Sequence, residues 1–257
     1  MQARIVGARR GARWLAEGWR LFRVAPLGWL AAVFGYWLLM TLVSLVPLVG
    51  VAAAAVLVPA FSVGFMAVAR AASHNAAADV ALLFDGFRHE LRAQLVLGVA
   101  YLACLALILG ASSLADEGTL ARWMLTGQRP AEEVAESDAF FAALVTAAGL
   151  YLPVMAAFWF APPLAAWHAT GARKALFFSL AASLMNWRAF LAYGAVTAIV
   201  TLVIPFCALT ALALASGGAL RLPAASLVFP LLLILLPTLF ASFYASYRDV
   251  FGYDAAP

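Results

Sequence analysis

Long apolar stretches alternate with short polar ones along this chain. Six apolar runs stand out, at roughly Leu27–Val49, Val51–Ala69, Leu95–Ser113, Phe140–Pro162, Phe190–Ala215 and Leu227–Tyr247. Each has, or nearly has, the about 20 residues that a helix needs to cross a hydrocarbon core. None alternates as a strand would, and each is about twice the length of a barrel strand. A helix satisfies its own backbone in lipid, so six transmembrane helices are predicted. The first two turn tightly near Gly50. Arginines precede the first run and Val51-Ala52-Ala53-Ala54 follows it, as in a cleaved leader. The run exceeds the roughly 7–15 residues of a signal core, so it reads as an uncleaved span.

Amphipathic stretches precede the odd-numbered spans. In the first, Arg9, Arg13, Arg20 and Arg23 form a stripe opposite Trp14, Leu15, Trp19 and Phe22. In the second, Val80, Leu83, Phe84, Phe87 and Leu91 share one face, and Asp85, Arg88, His89 and Arg92 share the other. Such helices are expected to lie in the inner headgroup layer, apolar side down and arginines toward anionic lipid. Trp14, Trp19, Trp29, Trp167 and Trp187 are expected in an inner aromatic belt, and Trp123 in an outer one.

The pattern repeats. Pro59, Pro153 and Pro237 each stand in an even-numbered span. Each is followed, after five residues, by Phe65-Met66-Ala67, Trp159-Phe160-Ala161 or Phe243-Tyr244-Ala245. Gly18-Trp19-Arg20, Gly86-Phe87-Arg88 and Asn186-Trp187-Arg188 precede the odd-numbered spans. The predicted fold is therefore an all-α integral membrane domain over 1–257. It comprises three pseudo-repeated hairpins, each preceded by an amphipathic interfacial helix, at about 8–76, 77–170 and 171–254. Two spans per unit keep every copy in one orientation, which makes the repeats parallel rather than inverted.

Composition agrees. Apolar residues make up 66% of the 257 positions and charged residues 11%, against about 25% charged in a soluble domain. That excess must face lipid. Placing the N-terminus inside puts thirteen of the sixteen basic residues in inner segments; only Arg122, Arg129 and Arg221 fall outside. This asymmetry predicts that both termini are cytoplasmic. The loop from Leu114 to Ala139 is acidic and reads as a solvated outer linker, with a helix start after Pro130.

Candidate chemistry is sparse. The spans carry no charge near their centres, which argues against a relay of ionisable side chains. The three mid-span prolines either splay the helices around a cavity or shape a static bundle. Cys104 and Cys207 lack ligand-spaced partners, and no His pair at helical spacing exists, so neither a metal nor another cofactor is expected. No nucleophile elbow, phosphate loop or dinucleotide fingerprint occurs, so no enzyme is predicted. Topology accounts for the arginines, which leaves nucleic-acid binding without support. Arg70, His74, His168, Asn186 and Arg188 are the candidate contacts to anionic headgroups or to a membrane-protein partner, with Arg173 beside them. Ala52–Ala55 offers a small-residue face for helix association.

The run Phe160-Ala161-Pro162-Pro163-Leu164, Trp167-His168, Lys174 to Ser179 and Asn186 to Leu191 is distinctive, as is Ser246-Tyr247-Arg248-Asp249-Val250-Phe251-Gly252. With the Arg/Trp-rich start, these segments resemble a proteobacterial family of conserved hypothetical multi-pass inner-membrane proteins, found notably in beta-proteobacteria. The resemblance implies topology and compartment, and no mechanism. More distantly, the layout looks like the membrane domain that precedes the catalytic domain of some glycerophosphodiester phosphodiesterases. The tail after Tyr247 is too short for that catalytic domain, so the activity does not carry over. The expectation is a non-enzymatic interaction or envelope-organising component. The alternative is a transporter or flippase-like carrier of a small or lipidic substrate.

Overall fold

A computed structural model describes residues 2–47, 49–215 and 225–252. The helices run in order α1 (Ala8–Val24), α2 (Pro26–Ser44), α3 (Gly50–Ser73), a 3-10 turn (Val80–Phe84), α4 (Asp85–Arg88) and α5 (Leu91–Asp116). They continue with α6 (Thr119–Thr126), α7 (Glu132–Ala135), α8 (Asp138–Phe158), α9 (Ala161–His168), α10 (Ala172–Met185) and α11 (Trp187–Ala198). A π-turn (Ile199–Val203) leads into α12 (Ile204–Ala215), and α13 (Ala225–Phe251) ends the order. No strand occurs among the described residues.

Six helical segments among the described residues are long and apolar enough to cross a membrane: Pro26–Ser44, Gly50–Ser73, Leu91–Asp116, Asp138–His168, Trp187–Ala211 and Leu231–Phe251. They match the six apolar runs, with ends shifted by several residues. The first span stops at Ser44 rather than Val49. Polar ends lengthen others, since a helix continues until its backbone finds another partner. Arg221 and the predicted end of the third repeat, at 254, lie outside the described residues. Leu38, Leu107, Phe141, Leu152, Leu191 and Leu202 are exposed, as lipid-facing side chains must be.

The chain divides into two compact units, Met1–Leu42, Ala60–His89 and Ala182–Pro257 in one, and Val43–Pro59 and Glu90–Ala181 in the other. In the first, α1 packs along α11 and α13. Phe65 stacks flat on Phe240 with centroids 4.0 Å apart, and Tyr36 stands edge-on to both. In the second, α5 packs on α8, α6 and α9. There the backbones meet at Gly98, where an added Cβ would lie 1.9 Å from the Val56 carbonyl oxygen.

The prolines mark a change of surroundings. The α3 helix is mostly half-buried before Pro59 and buried at nearly every position from Pro59 to Ala69. The α13 helix changes likewise at Pro237, and after Pro153 full burial begins at Phe160 and runs to Ala166. Helix runs unbroken through each proline. The helix of the Pro153 span breaks at Trp159-Phe160, between α8 and α9. Pro162 and Pro163 have no N–H to continue the ladder. The Ser179 hydroxyl inserts into it, accepting from the Phe160 N–H at 2.9 Å and donating to the Ala156 carbonyl at 2.9 Å. A side chain between i and i−4 is a recognised cause of a helix break.

The same seating recurs elsewhere. A Cβ at Gly18 would lie 2.3 Å from the carbonyl oxygen of Thr238, one residue past Pro237. A Cβ at Gly86 would lie 2.1 Å from that of Ala60, one residue past Pro59. Only glycine permits such backbone approach.

Several expectations need correction. The second amphipathic stretch is not one helix: it is a 3-10 turn and α4, interrupted at Glu90, whose φ is 51°. Arg92 therefore belongs to the first turn of α5. Trp14 and Trp29, expected in the aromatic belt, are both 0% exposed. The acidic linker is partly folded: α6 packs through Leu120 and Trp123 against Phe140 and Ala143. Asp116 holds its start, accepting from the N–H groups of Gly118 at 3.0 Å and Leu120 at 2.6 Å.

Gly18→Ala and Gly86→Ala are expected to cost about 1–3 kcal/mol each through overpacking, read as a lower unfolding midpoint in detergent. Gly149→Ala is expected to be neutral or slightly stabilising, because nothing lies within 4 Å of its added Cβ and alanine favours helix.

Candidate functional site

A partly buried polar cluster joins α1 to the end of α13. Helical spacing puts Arg10, Trp14 and Glu17 near one face of α1. Arg248 and Asp249 stand at the end of α13. The Asp249 carboxylate, 8% exposed, accepts from Arg10 Nε at 2.5 Å and Nη2 at 2.8 Å, and from Trp14 Nε1 at 2.8 Å. The fork of two parallel bonds is the strong form of an arginine–carboxylate pair. Glu17 pairs with Arg10 at 2.9 Å and also with Arg248. The bond to Asp249, against the opposing cost of burial, raises the Arg10 pKa above its ordinary value and holds it charged.

Trp14 is locked from its other side. Its ring meets Phe190 edge-on at 5.4 Å and Tyr193 at 5.8 Å. The Tyr193 hydroxyl is 2.6 Å from that of Ser242. The segment before α1 is pinned as well. The Arg4 N–H donates to the Val250 carbonyl at 2.7 Å, and the Val6 N–H donates to Asn186 Oδ1 at 2.8 Å. Asn186 Nδ2 donates to the carbonyls of Arg4 and Ala182 at 3.0 and 2.9 Å. A cleft of about 640 Å³ lies beside these groups, lined by Arg4, Arg10, Arg248 and Asp249. Two of its three arginines are matched by Glu17 and Asp249, so the arrangement is a lock between helices with little net charge to offer a ligand.

The five candidate residues are placed differently from one another. Arg70 and His74 are exposed at the end of α3. Arg188 is exposed, its guanidinium 5.3 Å from the Trp187 ring centre. His168 is half-buried at the end of α9, in the second unit. Asn186 is 1% exposed, and its hydrogen bonds go to Arg4, Val6 and Ala182 rather than to the other four. It stands at the junction of α10 and α11 and holds the N-terminal segment. Sequence reasoning missed Glu17 and Asp249. The available signals were a single acid within an arginine-rich helix and an acid directly after Arg248.

Among the described residues no group of three His, Cys, Asp or Glu side chains could hold a metal ion. Cys104 and Cys207 are free thiols.

Six apolar helices with lipid-type surfaces and buried polar locks define a multi-pass α-helical membrane protein. The chain is 38% identical over 258 residues to a protein of Burkholderia thailandensis described as a probable inner membrane protein, across 98% of this chain and 94% of that one. It belongs to this family of beta-proteobacterial inner-membrane proteins. No family profile and no solved structure matches it.

Asp249→Ala is expected to destabilise the protein by about 1–3 kcal/mol, because it removes the acceptor of Trp14 and one of the two acid partners of Arg10, while Glu17 and solvent still meet the arginine. Trp14→Phe, which removes one hydrogen bond and replaces the indole by a smaller ring at a fully buried position, is expected to cost about 2–4 kcal/mol. Unfolding midpoints in detergent and protease release of the N-terminal segment would read both.

Proposed function

We propose that this protein is a non-enzymatic organising component of the inner membrane, built as three hairpin repeats with both termini in the cytoplasm. Its amphipathic elements lie at the cytoplasmic face and meet anionic lipid headgroups or a membrane-protein partner. The observation that carries this reading is one seating used three times. The segment before each odd-numbered span packs against the return helix of another hairpin, just past that helix's proline. Gly18 does so beside Thr238, Gly86 beside Ala60, and Ser179 within the Ala156–Phe160 ladder. Sequence copies that use the same pairing support a repeat of structure. The exposed row of Arg9, Arg13, Arg20 and Arg23 on α1 favours a surface rich in anionic headgroups, and so does the thirteen-to-three distribution of basic residues.

A carrier would need a polar-lined path between the proline-bearing helices. The flat stack of Phe65 on Phe240, with Tyr36 against both, packs the helices that carry Pro59 and Pro237 together. This packing favours a fixed organiser over a moving carrier. Arg70, His74, His168 and Arg188 are the residues proposed to reach headgroups or the partner.

Two measurements test the reading. With Cys104 and Cys207 replaced by serine, a cysteine introduced at Gly127 is expected to react with a membrane-impermeant thiol reagent in cells whose outer membrane alone is permeabilised. One at Gly7 should react only after the inner membrane is opened as well; the reverse pattern would sink the topology. A photocrosslinking residue at His74 or Arg188 is expected to capture phospholipid or a discrete membrane protein. Crosslinks confined to the chain itself would count against the organising role.

A further inference from the structure

A second cleft, of about 710 Å³, lies wholly within the unit that holds α5 and the start of α10. Its wall carries Arg92, Arg173, Lys174 and Glu90, and its apolar part includes Ala93 and Val96. Chain segments some eighty positions apart supply the three cations, and all four charged side chains are exposed.

The placement runs against ordinary helix electrostatics. Arg92 sits in the first turn of α5, a helix of 26 residues, and Arg173 and Lys174 in that of α10, of 14 residues. Neither first turn contains an acid, and Glu90, the cap residue directly before α5, is the one carboxylate beside them. A helix start carries about half a positive charge, so acids are the residues that stabilise it. Here two helix starts and three cations line one cleft with a single carboxylate. An anion with several oxygen acceptors would offset that concentration of charge, through side-chain and free backbone N–H groups together.

The apolar continuation indicates the kind of molecule. Val96 lines the cleft one turn beyond Arg92, and Val99, exposed, continues the same face of α5. A cationic pocket thus leads into an exposed apolar track on a membrane-spanning helix. We propose that this cleft binds a phosphate group, and that the group is the headgroup phosphate of an anionic glycerophospholipid whose acyl chain follows Val96 and Val99. This rests on the reading that the protein's cytoplasmic face meets anionic headgroups, and it assigns that contact to one site.

The test uses the full-length protein in detergent, where orientation in the cell has no influence. Dioleoyl-phosphatidylglycerol is titrated and bound lipid is counted by native mass spectrometry. Inorganic phosphate alone is tested in parallel by thermal shift. Each charge removed from Arg92→Gln, Arg173→Gln and Lys174→Gln is expected to weaken lipid binding by about fivefold. The control pair Arg122→Gln and Arg129→Gln should leave it unchanged. A thermal shift with inorganic phosphate, abolished in the triple variant and unmatched by any lipid effect, would keep the phosphate site and assign it to a soluble compound. A triple variant that binds lipid as the wild type does, and that keeps any phosphate response, overturns the proposal. If lipid binding instead falls only when Arg13, Arg20 and Arg23 are neutralised, this site is excluded while headgroup engagement stands.

Discussion

Apolar helices surrounded by lipid tails gain little by hiding from the tails, because one apolar neighbour is much like another. What holds such helices is close backbone contact, tight packing and hydrogen bonds made where water is scarce. The fold follows that constraint. Gly18, Gly86 and Gly98 let backbones approach to distances that any side chain would block. Ser179 repairs a helix break by standing inside the ladder. Asp249 gathers Arg10 and Trp14 onto one carboxylate and so joins the first helix to the last.

The lock at Asp249 also explains why an arginine-rich helix can be half-buried. Glu17 and Asp249 neutralise Arg10 and Arg248, while Arg9, Arg13, Arg20 and Arg23 stay exposed. Within α1, then, inward-facing charge is matched by acids and outward-facing charge stays at the surface. At the other basic cleft the balance differs, since three cations face one carboxylate. A matched network holds helices together, whereas an unmatched one has attraction left for a ligand.

The spans were legible because the need for about 20 apolar residues is local and strong. Family membership was legible for a similar reason: runs such as Ser246 to Gly252 stand contiguous in the chain. The candidate site was read only in part. Arg70, His74 and Arg188 do lie at the surface. Asn186, equally polar in the sequence, is buried under the N-terminal segment by bonds to Arg4 and Val6. Trp14 illustrates the same limit. Interfacial and core tryptophans look alike in a sequence, and the difference lies in Asp249, 235 positions away.

By itself, then, the sequence determined the class of protein, the number of spans and the rows of arginine on the amphipathic segments, because each depends on neighbours within a few turns. Tertiary structure decided which of those faces is covered. It set where the fourth span breaks, which charges cancel and which stand together at Arg92, Arg173 and Lys174. Those outcomes depend on pairs of groups far apart in the chain, whose burial and hydrogen bonding exist only once the helices have packed.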